Sequence, residues 1–390
     1  MVLPLCFSLY AKKATKMKLF GLLLVIASTV PAAAQLPPKA DVLSTMRKVA
    51  DYALDNNITD RGNSSTRKDT NCGWTHGTML QGVMAAHRAT SEEKYLDYAL
   101  WWGEAQKYIT CNFPKVLTEH AAANDMNCGQ TYAEIYLTSI ASGKGRNDTY
   151  IAHIRDKVLQ VLVDRPQIDD WWWDDAYFMA MGTFARIGSI ANDNKFFDKC
   201  FALFNNSAVG RGLWSDEDHL FFRDQTYQNK TTPHGKHVFW GRGEGWTSGA
   251  LARTMEYLPK SHSSYAVYAS HLQMMAKTLK GVQSADGMWR ASVLDPTDPN
   301  CPNPETTGTS GMTFGFAWGV NNGVLDKDEY GPMVIKAWNG LVKVAVQDSG
   351  RLGYCQPIGG GPKPSDATLT SDFCVGLFLL AAEQMARMAG

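Results

Sequence analysis

Apolar residues of this chain recur at three and four positions along most of its length, a period that makes helices the main material of its core. Val42, Met46, Val49 and Ala53 form one such face. The spacing from Thr90 to Glu93 predicts a capping box opening a second helix through Tyr95, Tyr98 and Trp102. Further helices are expected from Thr131, Thr149, Asp175, Phe196, Gly245, Tyr265, Gly311, Gly331 and Ser371, and one after Gly77, about twelve in all. Alternating segments are confined to the region of Leu220 and to Lys236 through Trp240, which excludes the regular strand–helix alternation of a Rossmann or TIM fold. A solenoid would show a repeat of roughly 30 to 50 residues, and none is visible. An all-α fold follows, read as six helical hairpins closed into a ring, an (α/α)6 barrel forming a single domain over residues 35–390. In such a ring the loops at one rim carry the site.

Charge and cysteine usage narrow the partners. With 38 basic against 38 acidic residues the chain has no net charge with which to coat nucleic acid or an anionic membrane, so neither is expected as a partner. Residues 17–34, MKLFGLLLVIASTVPAAA, have the basic start, short apolar run and small-residue end of a secretory signal, and that layout begins at Met17. Export to the periplasm or the medium is expected, and the apolar run is shorter than the ~20 residues of a membrane span. Beyond the signal stand Cys72, Cys111, Cys128, Cys200, Cys301, Cys355 and Cys374, an odd number that leaves at least one thiol unpaired. None has zinc-site spacing, and no metal or cofactor is expected. Oligomeric state has no signature in the sequence.

Three segments concentrate polar and aromatic chemistry. The first runs Asp169-Asp170-Trp171-Trp172-Trp173-Asp174-Asp175, just before a helix. Three successive indoles cannot all face one core, because neighbours on a helix point about 100° apart. Asp174 or Asp175 is then either an N-cap or a carboxyl held among rings, where burial raises its pKa toward that of a general acid. The second is Phe239-Trp240-Gly241-Arg242-Gly243-Glu244-Gly245-Trp246. It lacks the spacing of a phosphate loop, and Arg242 between two indoles suits a carboxylate on a sugar ring, or else a structural arginine in a glycine-rich turn. The third is Asp125, a few residues before Gly129-Gln130-Thr131-Tyr132, which alone would read as a cap. Asp286 to Arg290, Glu305 to Gly311 and Trp318 to Gly323 read as loop-to-helix entries suited to capping or to sugar hydroxyls.

In this order the motifs resemble the unsaturated rhamnogalacturonyl hydrolases of glycoside hydrolase family 105 and the related unsaturated glucuronyl hydrolases of family 88. The likeness is carried by Asp175-Ala176-Tyr177-Phe178-Met179, by Trp240 to Trp246, by Asp125 before GQTY, and by DGMWR, ETTGTSG, AWGVNNG and GYCQP, and it spans nearly the whole chain. It implies an (α/α)6 barrel, Asp175 as general acid/base and Asp125 assisting; Trp240, Arg242, Trp246, Trp173, Arg223 and His76 are expected to bind substrate. It also implies the reaction: a proton to C4 and water to C5 of a 4,5-unsaturated terminal uronic acid, left on pectin-type oligosaccharides by a lyase. Two positions depart from the pattern. Glu244 stands where Asn is usual, and Asp174 where a small or apolar residue precedes the catalytic Asp; a charge on Asp174 would help keep Asp175 protonated. The competing readings are an unsaturated glucuronyl hydrolase for another polyuronide, a glycosidase or lyase of saturated chains, and an oligosaccharide-binding protein without catalysis.

Overall fold

The computed structural model describes residues 35–59, 62–63, 72–118 and 122–390, so the expected signal lies outside the described residues. Helix follows helix: α1 (Lys39–Asp55), α2 (Trp74–Thr90), α3 (Glu93–Ala105), α4 (Cys128–Ala141), and α5, in which His153–Leu159 runs on into Gln160–Asp164. In α6, Tyr177–Met181 is a π-helical turn that runs on into Gly182–Ala191. Then come α7 (Asn194–Asn205), α8 (Gly241–Met255), α9 (Ser263–Gly281), α10 (Thr306–Asn321), α11 (Lys327–Val344) and α12 (Asp372–Met388). Among the described residues strand is limited to two antiparallel pairs, β1 (Ile58–Thr59) with β2 (Gly62–Asn63) and β3 (Trp214–Ser215) with β4 (Leu220–Phe221). Around Lys236 to Trp240, where a strand was expected, there are only isolated bridges, Thr231 to His237 and Trp240 to Ser292.

Burial divides these helices into two sets. The odd-numbered ones bury one stripe, as α1 does with Val42, Met46, Val49, Ala50 and Ala53. The even-numbered ones are covered nearly all round, and α8 is buried at every position. A helix apolar or covered on all sides belongs inside. The inner set closes on itself: α2 packs on α4, α4 on α6, α6 on α8, α8 on α10, α10 on α12, and α12 back on α2. Each outer helix returns the chain for the next inner one, which makes the (α/α)6 barrel. Two inner contacts are backbone against backbone. A Cβ on Gly82 of α2 would stand 2.6 Å from the Gly376 carbonyl of α12, and one on Gly311 of α10 would stand 2.6 Å from that of Gly245 on α8.

The expected capping box does not form. Thr90 closes α2, its hydroxyl donating to the Ala86 carbonyl at 2.7 Å, and Glu92 precedes α3 without a side-chain cap. ETTGTSG does cap: Glu305 accepts from the N–H groups of Thr307 and Gly308 at the start of α10. Disulfides join Cys72 to Cys111 and Cys355 to Cys374, while Cys128, Cys200 and Cys301 are buried thiols.

All six inner helices run the same way. Their later halves meet in a buried ion network in which Glu134 of α4 accepts from Arg88 of α2, Arg186 of α6 and Arg253 of α8. Glu383 of α12 completes it, taking two bonds from Arg88. Arginine there complements the negative ends of the helix dipoles. The opposite rim, where the inner helices begin, holds the chemistry.

Candidate active site

At that rim a cavity of about 160 Å³ is lined by Trp74, Asn124, Trp173, Asp175, Met179, Arg223, Arg242, Ile358 and Gly359. These come from the starts of α2, α6 and α8, from the segment ahead of α4, from the chain after β4 and from the loop before α12. The three indoles divide as expected, with Trp171 and Trp173 buried and Trp172 36% exposed. Asp174 and Asp175 precede the π-helical turn of α6, a local widening often found where a helix carries function.

Asp175 reaches the cavity with 14% of its side chain exposed, and Arg223 Nε donates to its Oδ2 at 3.3 Å. Burial raises its pKa above that of an ordinary aspartate, and the charges of Arg223 and Arg242 pull it part of the way back. Arg223 also donates to Asp224 at 2.6 Å and lies over the Trp172 ring, 5.2 Å from its centroid. Asp174 is fully buried and no backbone or basic donor reaches either carboxyl oxygen, so it is no N-cap; its side chain shares a hydrogen bond with that of Asp175. Burial, then the charges of Asp175 and Glu244, hold it far above the carboxylate range. Asp174, buried and reached by no donor, is therefore held toward its protonated form, against the expectation that it acts on Asp175 as a charge.

Arg242 stands in the cavity wall but is only 1% exposed, and its Nη atoms donate to the carbonyls of Gln356, Pro357 and Gly359, so the grip on a substrate carboxylate expected of them is corrected to a hold on that loop, while its Nε has no partner. Burial pulls its pKa down to about 10, with Glu305 and Asp175 opposing. Its guanidinium lies over Trp240, 4.3 Å from the ring centroid, and Trp240 Nε1 donates to Gln356 Oε1 at 2.9 Å. Trp240 and Trp246 are 1% and 0% exposed, so neither offers a ring face to a sugar. Trp246 packs instead among Trp74, Phe178 and Phe373. Trp240 and Arg242 anchor the loop from Gln356 to Gly359, which the Cys355–Cys374 disulfide ties to α12 and whose Ile358 and Gly359 wall the cavity.

His76 is buried, its Nδ1 3.7 Å from Asp372 Oδ2 and its Nε2 without a partner, and it does not line the cavity. Asp125 is partly exposed and accepts from Asn112 Nδ2 at 2.9 Å, while its neighbour Asn124 is the residue on the cavity wall. Arg290 is held by Asp286. Of the expected residues, the structure brings Asp175, Trp173, Arg223 and Arg242 together in the cavity wall, with Asp175 and Arg223 the partly exposed pair. Asn124, Trp74 and the loop after Cys355 escaped the sequence reading because each is ordinary in type and gains its role from position. Among the described residues a metal-like trio, Glu217, Asp218 and His237, lies at the β3–β4 turn and lines no part of this cavity; there His237 Nδ1 and Asp218 Oδ2 bond each other at 2.8 Å. A larger groove of about 610 Å³ between α1 and α3 contains none of the candidate catalytic or substrate-binding residues.

The family model described as Glycosyl Hydrolase Family 88 matches residues 45–389. The chain belongs to that family. Compared with individual proteins, this family 88 chain is 29% identical over 341 residues to an unsaturated 3S-rhamnoglycuronyl hydrolase of Formosa agariphila, covering 81% of the chain and 84% of the relative. A solved family 88 glycosyl hydrolase from Bacteroides vulgatus is 28% identical with a TM-score of 0.79, over 90% of this chain and 99% of that one. A solved polysaccharide lyase is 30% identical with a TM-score of 0.80, over 90% and 98%. This family 88 chain therefore shares its toroid with enzymes of two kinds.

Proposed function

We propose that the protein removes a terminal 4,5-unsaturated uronic acid from a lyase-generated oligosaccharide of the rhamnogalacturonan type, in which the uronate is joined to rhamnose. The observation that carries this is Asp175: one carboxyl at an open cavity, raised by burial and paired with a single accessible arginine. The relative's name, which couples an unsaturated uronyl unit to rhamnose, supports the sugar class.

In the substrate, the C4=C5 double bond is conjugated to the carboxylate and is an enol ether through the ring oxygen. Asp175 gives its proton to C4; water adds at C5 and returns a proton to Asp175. The hemiketal at C5 opens to a ketone, and the open chain releases the aglycone from C1. Arg223 takes the uronate carboxylate. That exchange loads the acid, because Arg223 is the largest influence lowering the Asp175 pKa, and an anion that draws it away leaves Asp175 more firmly protonated. Trp172, over whose ring this arginine lies, offers exposed ring surface to the sugar.

The test is ultraviolet absorbance of the conjugated enoate on adding enzyme to lyase-derived oligosaccharides. Hydration makes it fall. The 30% identity to a polysaccharide lyase favours elimination on saturated chains as the second reading, and elimination makes the same absorbance rise. A protein that binds without catalysis leaves it unchanged. We further infer export to the periplasm or the medium, which the two disulfides support.

A further inference from the structure

Behind Asp175 stands a second carboxyl that the reaction above does not use. Asp174 has no exposed surface, no backbone or basic donor reaches either of its oxygens, and the side chain it hydrogen-bonds is that of Asp175. Gly243 walls it in: a Cβ there would stand 2.3 Å from Asp174 Oδ2. The next residue, Glu244, is also fully buried; its Oε1 accepts the Phe221 N–H at 3.0 Å, and its Oε2 has no partner. A carboxylate shut off from bulk solvent and reached by no donor takes up a proton sooner than hold a charge.

The charged groups facing Asp174 are Asp175 on its own segment, Glu244 from α8 and Arg223 from the chain after β4, with Arg242 acting on the pair from the first turn of α8. Burial keeps the phenols of Tyr177 and Tyr227 neutral there. Arg223 is engaged by Asp175 and Asp224, so the surroundings of Asp174 are acidic. Asp174 and Glu244 are also the two positions at which the sequence departs from the family pattern, and the fold puts both behind the same acid.

We propose that Asp174 is a positioning residue, a carboxyl that stays protonated throughout turnover and lends its O–H to Asp175 while Asp175 is a carboxylate. This rests on the reading of Asp175 as the proton donor. No proton leaves Asp174, so the balance of the reaction is unchanged: the proton given to C4 is replaced by one from the water that adds at C5. A charged neighbour would repel the carboxylate at this stage, whereas a neutral donor steadies it.

The pH profile of kcat/KM on the unsaturated oligosaccharide tests this. Losing a donor to the ionised form raises the Asp175 pKa, so Asp174→Ala should move the alkaline limb up by about one pH unit and lower kcat about tenfold. Asp174→Asn, which restores a neutral donor, should recover most of both. Movement of the limb to lower pH in both variants would mean that Asp174 carries a charge, and no movement in either would make it a bystander; each overturns the proposal. Infrared spectra of the unliganded protein give an answer independent of turnover. A protonated-carboxyl band at neutral pH that disappears in Asp174→Asn is expected, and its absence from the wild type would overturn the proposal even where Asp174→Ala fails to fold. Should Asp175→Asn retain activity, the donor reading fails while the infrared result still reports on Asp174.

Discussion

The two rims of the ring use buried charge in opposite ways. Where the inner helices end, Glu134 meets three guanidinium groups and Glu383 two, and these acids are held well below their ordinary range by the arginines despite full burial. Where the inner helices begin, Asp174 and Glu244 are as deeply buried, have oxygens that no backbone or basic donor reaches, and are pushed up. At one rim every oxygen of Glu134 and Glu383 is taken by an arginine, while the other keeps proton-binding capacity next to a cavity.

The strongest way to break the contrast is Asp175→Asn. Turnover should fall by at least about 10² to 10⁴, the usual contribution of a general acid or base, with the melting temperature nearly unchanged. Near wild-type rates would move the proton donor elsewhere. At the other rim the opposite pattern is expected. Glu134→Gln leaves three arginines short of an anion, and breaking a buried pair costs about 3–5 kcal/mol, read as a lower melting temperature with kcat preserved in whatever remains folded. A normal melting temperature together with lost turnover would make that rim part of the site. The sign with pH follows as well: Glu134 is depressed in the folded state, so its contribution is present above the ordinary glutamate pKa of about 4.3 and is lost as pH falls below it.

Arg223→Lys sharpens the comparison within the active rim. Lysine keeps the charge and loses the planar fork, so KM should rise and kcat fall, by up to about 10² if the uronate is misplaced by about 1 Å. A methyl-esterified substrate should feel the change much less. Arg242→Lys should behave differently, impairing acid and ester alike, because what it holds is the loop carbonyls. Equal selectivity in both variants would remove the distinction drawn between the two arginines.

That distinction shows what sequence could and could not reveal. The helix count and Asp175 were legible because apolar period and the Trp-rich run are local signals. Arg242 was misread because the carbonyls that occupy it lie 114 to 117 positions further along the chain, and only the ring closure brings them to α8. Trp240 and Trp246 were misread for a related reason: an indole beside an arginine in a glycine-rich turn has the same composition whether it lines a cleft or fills the core. The Glu134 network left no trace at all in the sequence reading, since its members come one each from α2, α4, α6, α8 and α12.

The smallest expected effect is at Glu244, and it tests the sign of the contrast directly. A buried carboxyl whose folded pKa is raised binds more protons in the folded state than in the unfolded one between the two pKa values. Stability therefore falls as pH rises through that interval, the reverse of Glu134. Gln has the shape of the protonated acid and can still accept the Phe221 N–H, so Glu244→Gln should change the melting temperature little near pH 4. As pH rises the wild type loses stability to its unfolded carboxylate and the variant does not, so the difference between them should grow in the variant's favour. Thermal unfolding of both proteins across the pH range measures this. A difference that runs the other way would mean that Glu244 is ionised in the fold, and the two rims would then handle their acids alike.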